Sequence, residues 1–355
     1  MTYQIDPQFN HGPQSVCILR LSAIGDICHA LPVVRTLQQR WPDTRITWVI
    51  GKLESDLVGD IPGIEFIIFD KKQGLQAYYQ LFRKLRGRRF DVLFHMQMSL
   101  RASLASLCIS AKIKLGFDRQ RANDLQWLFT NKKIAYQPKQ HVMDSFFGFT
   151  EALGIKEHIL QWDIPISAKV KDSVTQFIPA KPYLIISPCS SMAYRNWNMK
   201  GYAQVADYIS EKHQLPVILT GGSSAVEKNY GIEIERQCKY KPVNLIGKTT
   251  LKELLAIIKQ ATAVISPDSG PAHMATAVNT PVIGLYACTN PDRARPYNSA
   301  KWTINSYPEA IKAEYGKTPD ELIWGIRVRT EGTMDRITVE QVTSMVDKLL
   351  TSVLE

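Results

Sequence analysis

Three clusters of polar residues in the sequence each follow a short apolar run. The first follows the run 16–21 and contains Ser22, Gly25 and Asp26. A small residue, a glycine and an aspartate at a strand-to-helix turn place a carboxylate at the helix N-terminus, facing the cleft where ligands of such sheets bind. Capping of the helix by Asp26 is the alternative, because aspartate is among the preferred capping residues.

The second cluster follows the apolar run 183–187 and combines hydroxyl groups with cations. Its members are Ser190, Ser191, Arg195 and Lys200. Arginine offers a forked set of donors and lysine a point charge, and both suit phosphate oxygens. The sequence therefore predicts an anion site here, with a solvent-exposed loop anchored by Trp197 as the alternative.

The third cluster follows the apolar run 263–266. Asp268, Ser269 and Gly270 are expected to place backbone N–H groups at the start of a helix, which is a ready anion site. His273 lies one turn into that helix, and a single histidine is more often a structural residue than a ligand. Capping by Asp268 or Ser269 is the alternative to anion binding.

Common nucleotide-binding motifs are absent from the sequence. Gly247, Lys248 and Thr249 resemble the end of a phosphate loop, but position 242, where its first glycine belongs, is proline. The chain has no Gly-x-Gly-x-x-Gly and no Asp-x-Asp pair, and its six cysteines form no Cys-x-x-Cys. We therefore expect cations and backbone amides to hold any diphosphate, with no metal and no cofactor. Thr249 stays a candidate for that site.

The elements that position these clusters follow from the apolar pattern. Runs rich in β-branched residues alternate with amphipathic stretches, which is typical of a parallel sheet covered by helices. The predicted strands span 16–21, 46–50, 66–69, 92–95, 112–115, 183–187, 216–220, 243–246, 263–266 and 282–286. The predicted helices span 27–40, 75–85, 100–109 and 339–354, with another opened by a capping box at Thr250 and Glu253. Pro32 is expected to kink the first helix or delay its start, and residues 288–335 are predicted to be irregular.

The length of the chain favours two domains. It has 355 residues, more than the roughly 250 to 300 at which a single core stops growing. We predict an N-terminal domain at 1–165, a C-terminal domain at 166–338 and a last helix at 339–355, for which the N-terminal domain is one candidate partner. Both domains are predicted to be α/β, Rossmann-like doubly wound parallel sheets facing a central cleft, with ligands at the carboxyl ends of the strands.

Composition limits the class and the compartment. With 45% hydrophobic and 21% charged residues, the chain has the composition of a folded globular protein and not of a collagenous or disordered one. No apolar run approaches the roughly 18 residues of a membrane span, and residues 1–15 lack a basic stretch followed by an apolar core. We therefore expect a cytoplasmic protein.

The net charge of +10 is concentrated in one segment. Residues 71–139 hold 15 Lys and Arg and three acids, a local charge of +12. This excess indicates a nucleic acid, an anionic membrane or a phosphorylated or carboxylated substrate, with a solvated surface as the alternative. Arg101, Arg119, Arg121 and His141 are the candidates for a substrate site. A second group of cations lies at a helix C-terminus, where these cations are expected to interact with the helix dipole or with an anionic membrane. Its members are Arg83, Lys84, Arg86, Arg88 and Arg89.

Two longer motifs resemble a known family. The stretches ILRLSAIGDICHALPVVRTLQQRWPDTRITWVI at 18–50 and VISPDSGPAHMATAVNTPVIGLY at 264–286 resemble the lipopolysaccharide heptosyltransferases. The resemblance implies the GT-B architecture and an inverting transfer from ADP-heptose. The chain looks most similar to the heptosyltransferase I branch, which places the first heptose on a Kdo residue of the inner core.

The resemblance also implies roles for single residues. The family's general base matches Asp26, its phosphate-binding cation matches Arg195, and its donor loop matches residues 268–270 with His273. The chain departs from the family at Gly222, where some members have a glutamate for the donor's ribose.

The implied partners are an ADP-heptose donor and a Kdo-lipid A acceptor, at the inner face of the inner membrane, where the protein is expected to be peripheral. The donor-binding residues are expected to be Ser190, Ser191, Arg195, Lys200, Thr249, Asp268, Ser269, Gly270 and His273. The acceptor-binding residues are expected to be Ser22, Gly25, Arg101, Arg119, Arg121 and His141.

Two other functions stay open. A nucleic-acid-binding module would use the segment 71–139, which offers only a loose set of stacking residues such as Phe90, Phe117 and Trp127. A different GT-B enzyme would take another nucleotide sugar, for instance a UDP-sugar. The resemblance favours ADP-heptose and predicts no nucleic-acid partner.

Overall fold

The computed structural model describes residues 12–354, which fall into two compact units divided between Pro165 and Ile166. The prediction that residues 1–15 are not a leader segment falls mostly outside the described residues. Within residues 12–354, every helix is too short or too polar to cross a bilayer.

The first unit alternates strands and helices. Its elements are β1 (Ser15–Leu19), α1 (Ile24–Arg40), β2 (Arg45–Gly51), α2 (Lys52–Val58), β3 (Ile64–Phe69), α3 (Leu75–Leu85), β4 (Phe90–His95), α4 (Leu100–Ser106), β5 (Ala111–Gly116), β6 (Lys132–Lys133) and α5 (Val142–Glu151). The strands are parallel and lie in the order β3-β2-β1-β4-β5-β6. Every residue of the central strand β1 is buried, which its unbroken apolar run predicts.

The second unit repeats this arrangement. Its elements are α6 (Ala168–Val174), β7 (Leu184–Ile186), α7 (Met199–Lys212), β8 (Val217–Leu219), α8 (Ala225–Gln237), β9 (Val243–Asn244), α9 (Leu251–Gln260), β10 (Ala263–Pro267), α10 (Gly270–Ala277), β11 (Val282–Tyr286), α11 (Pro291–Ala294), β12 (Thr303–Asn305), α12 (Tyr307–Tyr315) and α13 (Val339–Leu354). Its parallel strands lie in the order β12-β11-β10-β7-β8-β9. Each unit is therefore a doubly wound sheet, as predicted, and its strand order reverses between β1 and β4 or between β7 and β10. Ligands of such sheets bind at the carboxyl ends of those two strands.

The ten predicted strands are all present, and the predicted capping box of α9 is formed. Thr250 Oγ1 accepts from the Glu253 N–H at 3.2 Å, and Glu253 Oε2 accepts from the Thr250 N–H at 2.9 Å. The prediction that residues 288–335 are irregular was wrong, because they contain α11, β12 and α12. Pro291 and Pro308 lie in the first turns of α11 and α12, where a missing N–H costs the helix nothing.

The final helix, α13, packs into the core of the second unit. The suggestion that it packs on the N-terminal domain was therefore wrong. Val342, Val346 and Leu349 of α13 are fully buried in the same apolar cluster as Trp197. Asp347 ties the helix to α7 by accepting from Tyr208 Oη at 2.8 Å.

Helix α1 runs through Pro32 without interruption, because other groups replace the hydrogen bond that proline cannot make. The carbonyl group of Cys28, four residues earlier, lacks its helical donor. The indole N–H of Trp162, buried at the other end of the unit's sequence, donates to that carbonyl at 2.7 Å. A contact from a distant segment therefore replaces the hydrogen bond that Pro32 cannot make.

We predict that Trp162→Phe destabilises the protein, because Phe leaves the Cys28 carbonyl without a donor. A lost hydrogen bond of this kind costs about 1 to 2 kcal/mol, which is roughly 3 to 6 °C in melting temperature for a unit of this size. In a Pro32→Ala background, the N–H of the new alanine restores the helical bond, so the same change costs less there. Calorimetric melting of the two single variants and the double variant measures this coupling, and strictly additive losses would contradict it.

Candidate active site

Asp26 lies in the first turn of α1, just beyond the carboxyl end of β1. Its Oδ2 forms an ion pair with Arg20 and accepts from the Ala23 N–H at 3.3 Å. The Asp26 side chain is 34% exposed, so it is held in place and still reaches solvent. Asp26 therefore does cap the helix in part, by accepting from the Ala23 N–H. This contact uses only one of its two carboxylate oxygens.

Arg20 is a residue of the candidate site that the sequence reasoning missed. Its side chain is 10% exposed, it donates from Nη1 to the Met96 carbonyl at 2.5 Å, and its guanidinium stacks over the Phe146 ring at 5.2 Å. A nearly buried guanidinium needs a counter-charge, and Asp26 supplies it. The signal was available in the sequence as a single cation that interrupts the apolar run 16–21.

The residues after β4 support the turn that carries Asp26. Gln97 accepts from the Leu21 N–H at 2.7 Å and donates to Ser22 Oγ at 3.3 Å. Behind it, Gln126 donates to the His95 carbonyl at 2.8 Å. Burial lowers the pKa of His95 to about 4, so this ring is neutral near pH 7. Ser22 and Gly25 thus lie beside Asp26, as predicted from their sequence positions.

The other four acceptor candidates divide by exposure. Arg101, in the first turn of α4, is exposed, and Arg119 is exposed with its guanidinium 5.1 Å from the Trp127 ring. Arg121 is instead held inside the unit by an ion pair with the buried Asp118 and by donation to the Ala135 carbonyl at 2.7 Å. His141 is buried and caps α5, accepting from the Met143 N–H at 3.1 Å. The geometry supports ligand contact by the two exposed arginines and a structural role for Arg121 and His141.

The cationic group at the C-terminus of α3 is also divided. Arg88 forms two hydrogen bonds with the Glu65 carboxylate, at 2.7 and 2.6 Å, and stacks over Phe90. It is therefore a structural residue of the sheet edge and not a free membrane contact, whereas Arg89 is exposed.

In the second unit, Asp268 links two of the predicted donor-binding residues. Its Oδ2 lies 3.0 Å from Arg195 Nη1, and its Oδ1 lies 3.6 Å from His273 Nε2. The Arg195 and Asp268 side chains are each only 13% exposed. The adjacent strands β7 and β10 end side by side, which brings together residues that lie 73 positions apart.

Electrostatics keep this pair charged. Burial acts to raise the pKa of Asp268, but the hydrogen bond from His273 and the charge of Arg195 outweigh it, so the pKa of the carboxyl group is lowered. Burial acts to lower the pKa of Arg195, and the Asp268 charge reverses that effect. Arg195 Nη1 also approaches the Asp268 carbonyl at 3.4 Å, whereas the buried Nε has no hydrogen-bond partner within the described residues.

The N-terminus of α10 lies beside this pair and carries no side-chain cap. Ser269 stands at the capping position, but its hydroxyl bonds to Ser266 Oγ at 2.7 Å. The capping alternatives are therefore not realised for either Asp268 or Ser269. The amide groups at Ser269 and Gly270 stand at the positive end of the helix dipole, which favours a bound anion.

The remaining donor candidates lie at the carboxyl ends of neighbouring strands. Ser190 follows β7 and donates its N–H to Asn196 Oδ1 at 2.7 Å, while Ser191 is exposed in the same loop. Lys200 is exposed in the first turn of α7, and half-buried Thr249 directly precedes the cap of α9. The structure shows no contact that assigns a ligand to Ser191 or Lys200.

Glu227 stands near the position where the chain departs from the family. Its carboxylate folds back from α8 to accept from the Gly222 N–H at 2.7 Å and lies 2.6 Å from Ser224 Oγ. A carboxylate therefore lies at the turn after β8, although the sequence has no glutamate directly after Gly221. Within residues 12–354 there is no group of three or more His, Cys, Asp or Glu side chains fit to hold a metal ion, and independence from metal stays a prediction.

Known proteins resemble this chain along most of its length. It is 42% identical over 344 residues to lipopolysaccharide core heptosyltransferase OpsX of Haemophilus influenzae, which covers 97% of this chain and 99% of that protein. Residues 78–322 match the sequence profile of glycosyltransferase family 9 (heptosyltransferase). The chain belongs to this family. It is therefore a heptose-transferring enzyme, as the sequence motifs predicted.

Solved structures confirm the predicted GT-B fold class of this heptosyltransferase. Escherichia coli ADP-heptose lipopolysaccharide heptosyltransferase II superposes with a TM-score of 0.72 at 19% identity, covering 96% of this chain and all of the other. E. coli heptosyltransferase WaaC with ADP superposes with a TM-score of 0.70 at 18% identity, covering 94% and 99%.

The branch of the family stays a prediction. Lipopolysaccharide heptosyltransferase 3 of E. coli K12 is 26% identical over 79% of this chain and 83% of its own length. Lipopolysaccharide heptosyltransferase 1 of the same strain is 22% identical, so this comparison does not single out the heptosyltransferase I branch.

We predict that Asp268→Asn destabilises the heptosyltransferase at neutral pH, because it leaves Arg195 nearly buried without a counter-charge. Breaking such a pair costs about 3 kcal/mol, or roughly 6 to 10 °C in melting temperature for a unit of this size. Because the pKa of Asp268 is lowered by folding, its contribution is present above the ordinary carboxyl value of about 4 and is lost as the pH falls through the lower native value.

The difference in melting temperature between wild type and Asp268→Asn should therefore shrink between pH 6 and pH 3. Asp292→Asn is the control, since Asp292 forms a surface pair with Arg295 and is 69% exposed. A difference that stays constant over this pH range would show that the charge of Asp268 is not the cause.

Proposed function

We propose that the enzyme transfers heptose from ADP-heptose, with inversion, to a Kdo residue of the lipopolysaccharide inner core. The observation that carries this proposal is the partly exposed Asp26 carboxylate, fixed by Arg20 at the carboxyl end of β1. A donor site is proposed at the carboxyl ends of β7 and β10. The relatives' names support the donor, because E. coli WaaC has been solved with ADP and with ADP-2-deoxy-2-fluoro heptose.

Asp26 acts as the general base in this proposal. Both of its protein contacts are made by Oδ2, which leaves Oδ1 for the acceptor hydroxyl. The ion pair with Arg20 holds the carboxylate in place. Oδ1 takes the hydroxyl proton while the acceptor oxygen bonds to the anomeric carbon, and the bond from that carbon to the ADP oxygen breaks on the opposite face. Inversion needs no covalent enzyme intermediate.

The departing ADP gains negative charge, and fixed donors stabilise it. The guanidinium group of Arg195 and the amides of Ser269 and Gly270 are the donors we propose for the diphosphate. Asp268 keeps the guanidinium in position before the donor binds, so little reorganisation is needed. His273 contributes through Asp268, and Lys200 adds an exposed positive charge nearby in the sequence.

The acceptor is anionic through Kdo carboxylates and lipid A phosphates, which fits the exposed guanidinium groups of Arg101 and Arg119. We propose that these two arginines contact it and that Arg121 and His141 support the loop internally. As a protein acting on a lipid, the enzyme is placed at the cytoplasmic face of the inner membrane in a peripheral position. Because the chain belongs to an enzyme family, we do not favour the nucleic-acid-binding alternative. Titration with ADP and UDP tests whether the donor is a different nucleotide sugar.

Asp26→Asn is expected to lower the turnover number by about 100- to 10,000-fold, the usual contribution of a general base. Asparagine still accepts from the Ala23 N–H, and ADP affinity should not change. The assay is transfer from ADP-heptose to purified Kdo-lipid A, read by mass. Asp70→Asn is the matched control, because Asp70 follows β3 at the same edge of the sheet and caps a short turn. A loss of activity below tenfold would remove Asp26 from the role of base.

Arg195→Ala is expected to weaken ADP binding by about 1.5 to 3 kcal/mol, the range for a hydrogen bond to a charged group, and Arg195→Lys should recover part of it. Calorimetric titration with ADP and with UDP measures this, and wild type should prefer ADP. Arg236→Ala is the control, since Arg236 pairs with Glu233 on the surface of α8. Equal ADP affinity in wild type and Arg195→Ala would exclude the proposed diphosphate contact, and tighter UDP binding would favour a different sugar nucleotide.

A further inference from the structure

Helix α3 exposes an apolar stripe that the fold does not use. Leu75, Tyr79 and Phe82 are 86%, 60% and 50% exposed, and their spacing of four and three residues places them on one side of the helix. Another side of the same helix buries Leu81 and Leu85 against the sheet. The helix is therefore apolar on two sides, and only one of them faces the core.

The neighbouring helix repeats the pattern. Leu100 and Leu104 on α4, with Leu107 directly after it, are 54%, 41% and 65% exposed at the same spacing. The buried side of α4 carries Ala102 and Ala105, which pack into the same core cluster as α3.

Contacts join these stripes to each other and to a third group. Tyr78 Oη donates to the Arg101 carbonyl at 3.4 Å, so α3 and α4 lie side by side. The Leu100 N–H donates to Asp124 at 3.2 Å, which attaches the turn that carries the third group of exposed apolar residues. We call the nine side chains together the apolar face. They are Leu75, Tyr79, Phe82, Leu100, Leu104, Leu107, Leu125, Trp127 and Leu128.

This concentration is unusual for the chain. Among residues 12–354, twenty large apolar side chains are exposed, and the apolar face holds nine of them within the range 75–128. Isolated exposed leucines need no explanation, but a cluster of this kind on neighbouring elements marks an interaction surface.

The charges around the apolar face are mostly positive. The exposed cations beside it are Lys71, Lys72, Arg83, Lys84, Arg86, Arg101 and Arg119. The three acids of the range 71–139 are engaged within the unit: Asp91 with Lys112, Asp118 with Arg121, and Asp124 with the Leu100 N–H. The surface therefore combines apolar side chains with cations whose charge has few local counter-charges.

We propose that the apolar face docks the enzyme onto the surface of a lipid bilayer that contains anionic lipids. Leucine and aromatic side chains enter the boundary between headgroups and acyl chains, while the surrounding Lys and Arg side chains meet the negative headgroups. A second copy of this chain fits less well, because pairing this face with itself would bring the two sets of cations together. The inference rests on the proposed function only for the identity of the acceptor, and vesicles without acceptor test the lipid contact by itself.

The position of the face suits a lipid-borne substrate. Helices α3 and α4 begin where β3 and β4 end, so Leu75 and Leu100 lie toward the carboxyl edge of the sheet. Asp26 lies at the same edge, after β1.

Sedimentation with vesicles tests the proposal. Wild-type enzyme should bind vesicles of phosphatidylcholine and phosphatidylglycerol in a 3:1 ratio far better than pure phosphatidylcholine, and salt should weaken the binding. Two double variants, Tyr79→Ser with Phe82→Ser and Leu104→Ser with Leu107→Ser, should each reduce partitioning by roughly tenfold or more. Arg83→Ala with Lys84→Ala should reduce binding to the anionic vesicles alone.

The matched control is Val226→Ser with Ile232→Ser on α8, whose side chains are 54% and 59% exposed but lie in the second unit. It should bind like wild type. All variants change exposed side chains, so unchanged melting temperatures and unchanged transfer to a delipidated, soluble acceptor establish that they are folded.

Three results would overturn the proposal: no binding by wild type, equal loss in the control variant, or unchanged binding in both apolar variants. Concentration-dependent self-association that the apolar variants abolish would show that a second copy covers the face instead. Vesicle binding without heptose transfer would reject the proposed function and keep the docking surface. Heptose transfer to the soluble acceptor without vesicle binding would support the proposed function and reject the docking surface.

Discussion

In each unit, an arginine forms an ion pair with an aspartate at the carboxyl end of a central strand. How deeply each pair is buried determines what its carboxylate can do. Arg20 is nearly buried, while Asp26 remains 34% exposed and uses one oxygen for its contacts. In the second unit both members are 13% exposed, and Asp268 also faces His273. A nearly buried guanidinium requires a counter-charge, and the aspartate supplies it in each pair. The first is accessible to a substrate hydroxyl, and the second serves to hold a cation.

These pairs arise where they do because both units have the same strand order. In each sheet the order reverses between two adjacent strands, and the helices that follow those strands depart to opposite faces. The loops that follow these two strands can therefore carry polar side chains outside the apolar cores. This explains why Arg195 and Asp268 meet although 73 positions separate them, and why Gln97 reaches the turn beside Asp26.

The sequence predicted the parts of the fold that depend on local pattern. Buried β-branched runs identify ten strands, and the capping box at Thr250 identifies the start of α9 correctly. Strands β6 and β12 have only two and three residues, too few to produce a pattern. Pro32 and Arg20 could not be interpreted locally, because the partners that explain them, Trp162 and Asp26, become neighbours only in the folded unit. Counting charges also gave Arg101 and Arg121 the same role, whereas in the fold Arg101 is exposed and Arg121 is half-buried and paired with Asp118.

The fold likewise divides the cations of the basic segment, residues 71–139, into paired and exposed groups. Its cations are neutralised where they meet Asp91, Asp118 or Glu65, and these pairs brace the sheet and its loops. Other cations lie exposed on and around α3 and α4, beside exposed leucine and aromatic side chains. Because crossover helices begin at the edge where their strands end, a bilayer bound along these helices would adjoin the edge that carries Asp26. The lipid-anchored acceptor that we propose would then present its sugar hydroxyl beside the edge that carries Asp26.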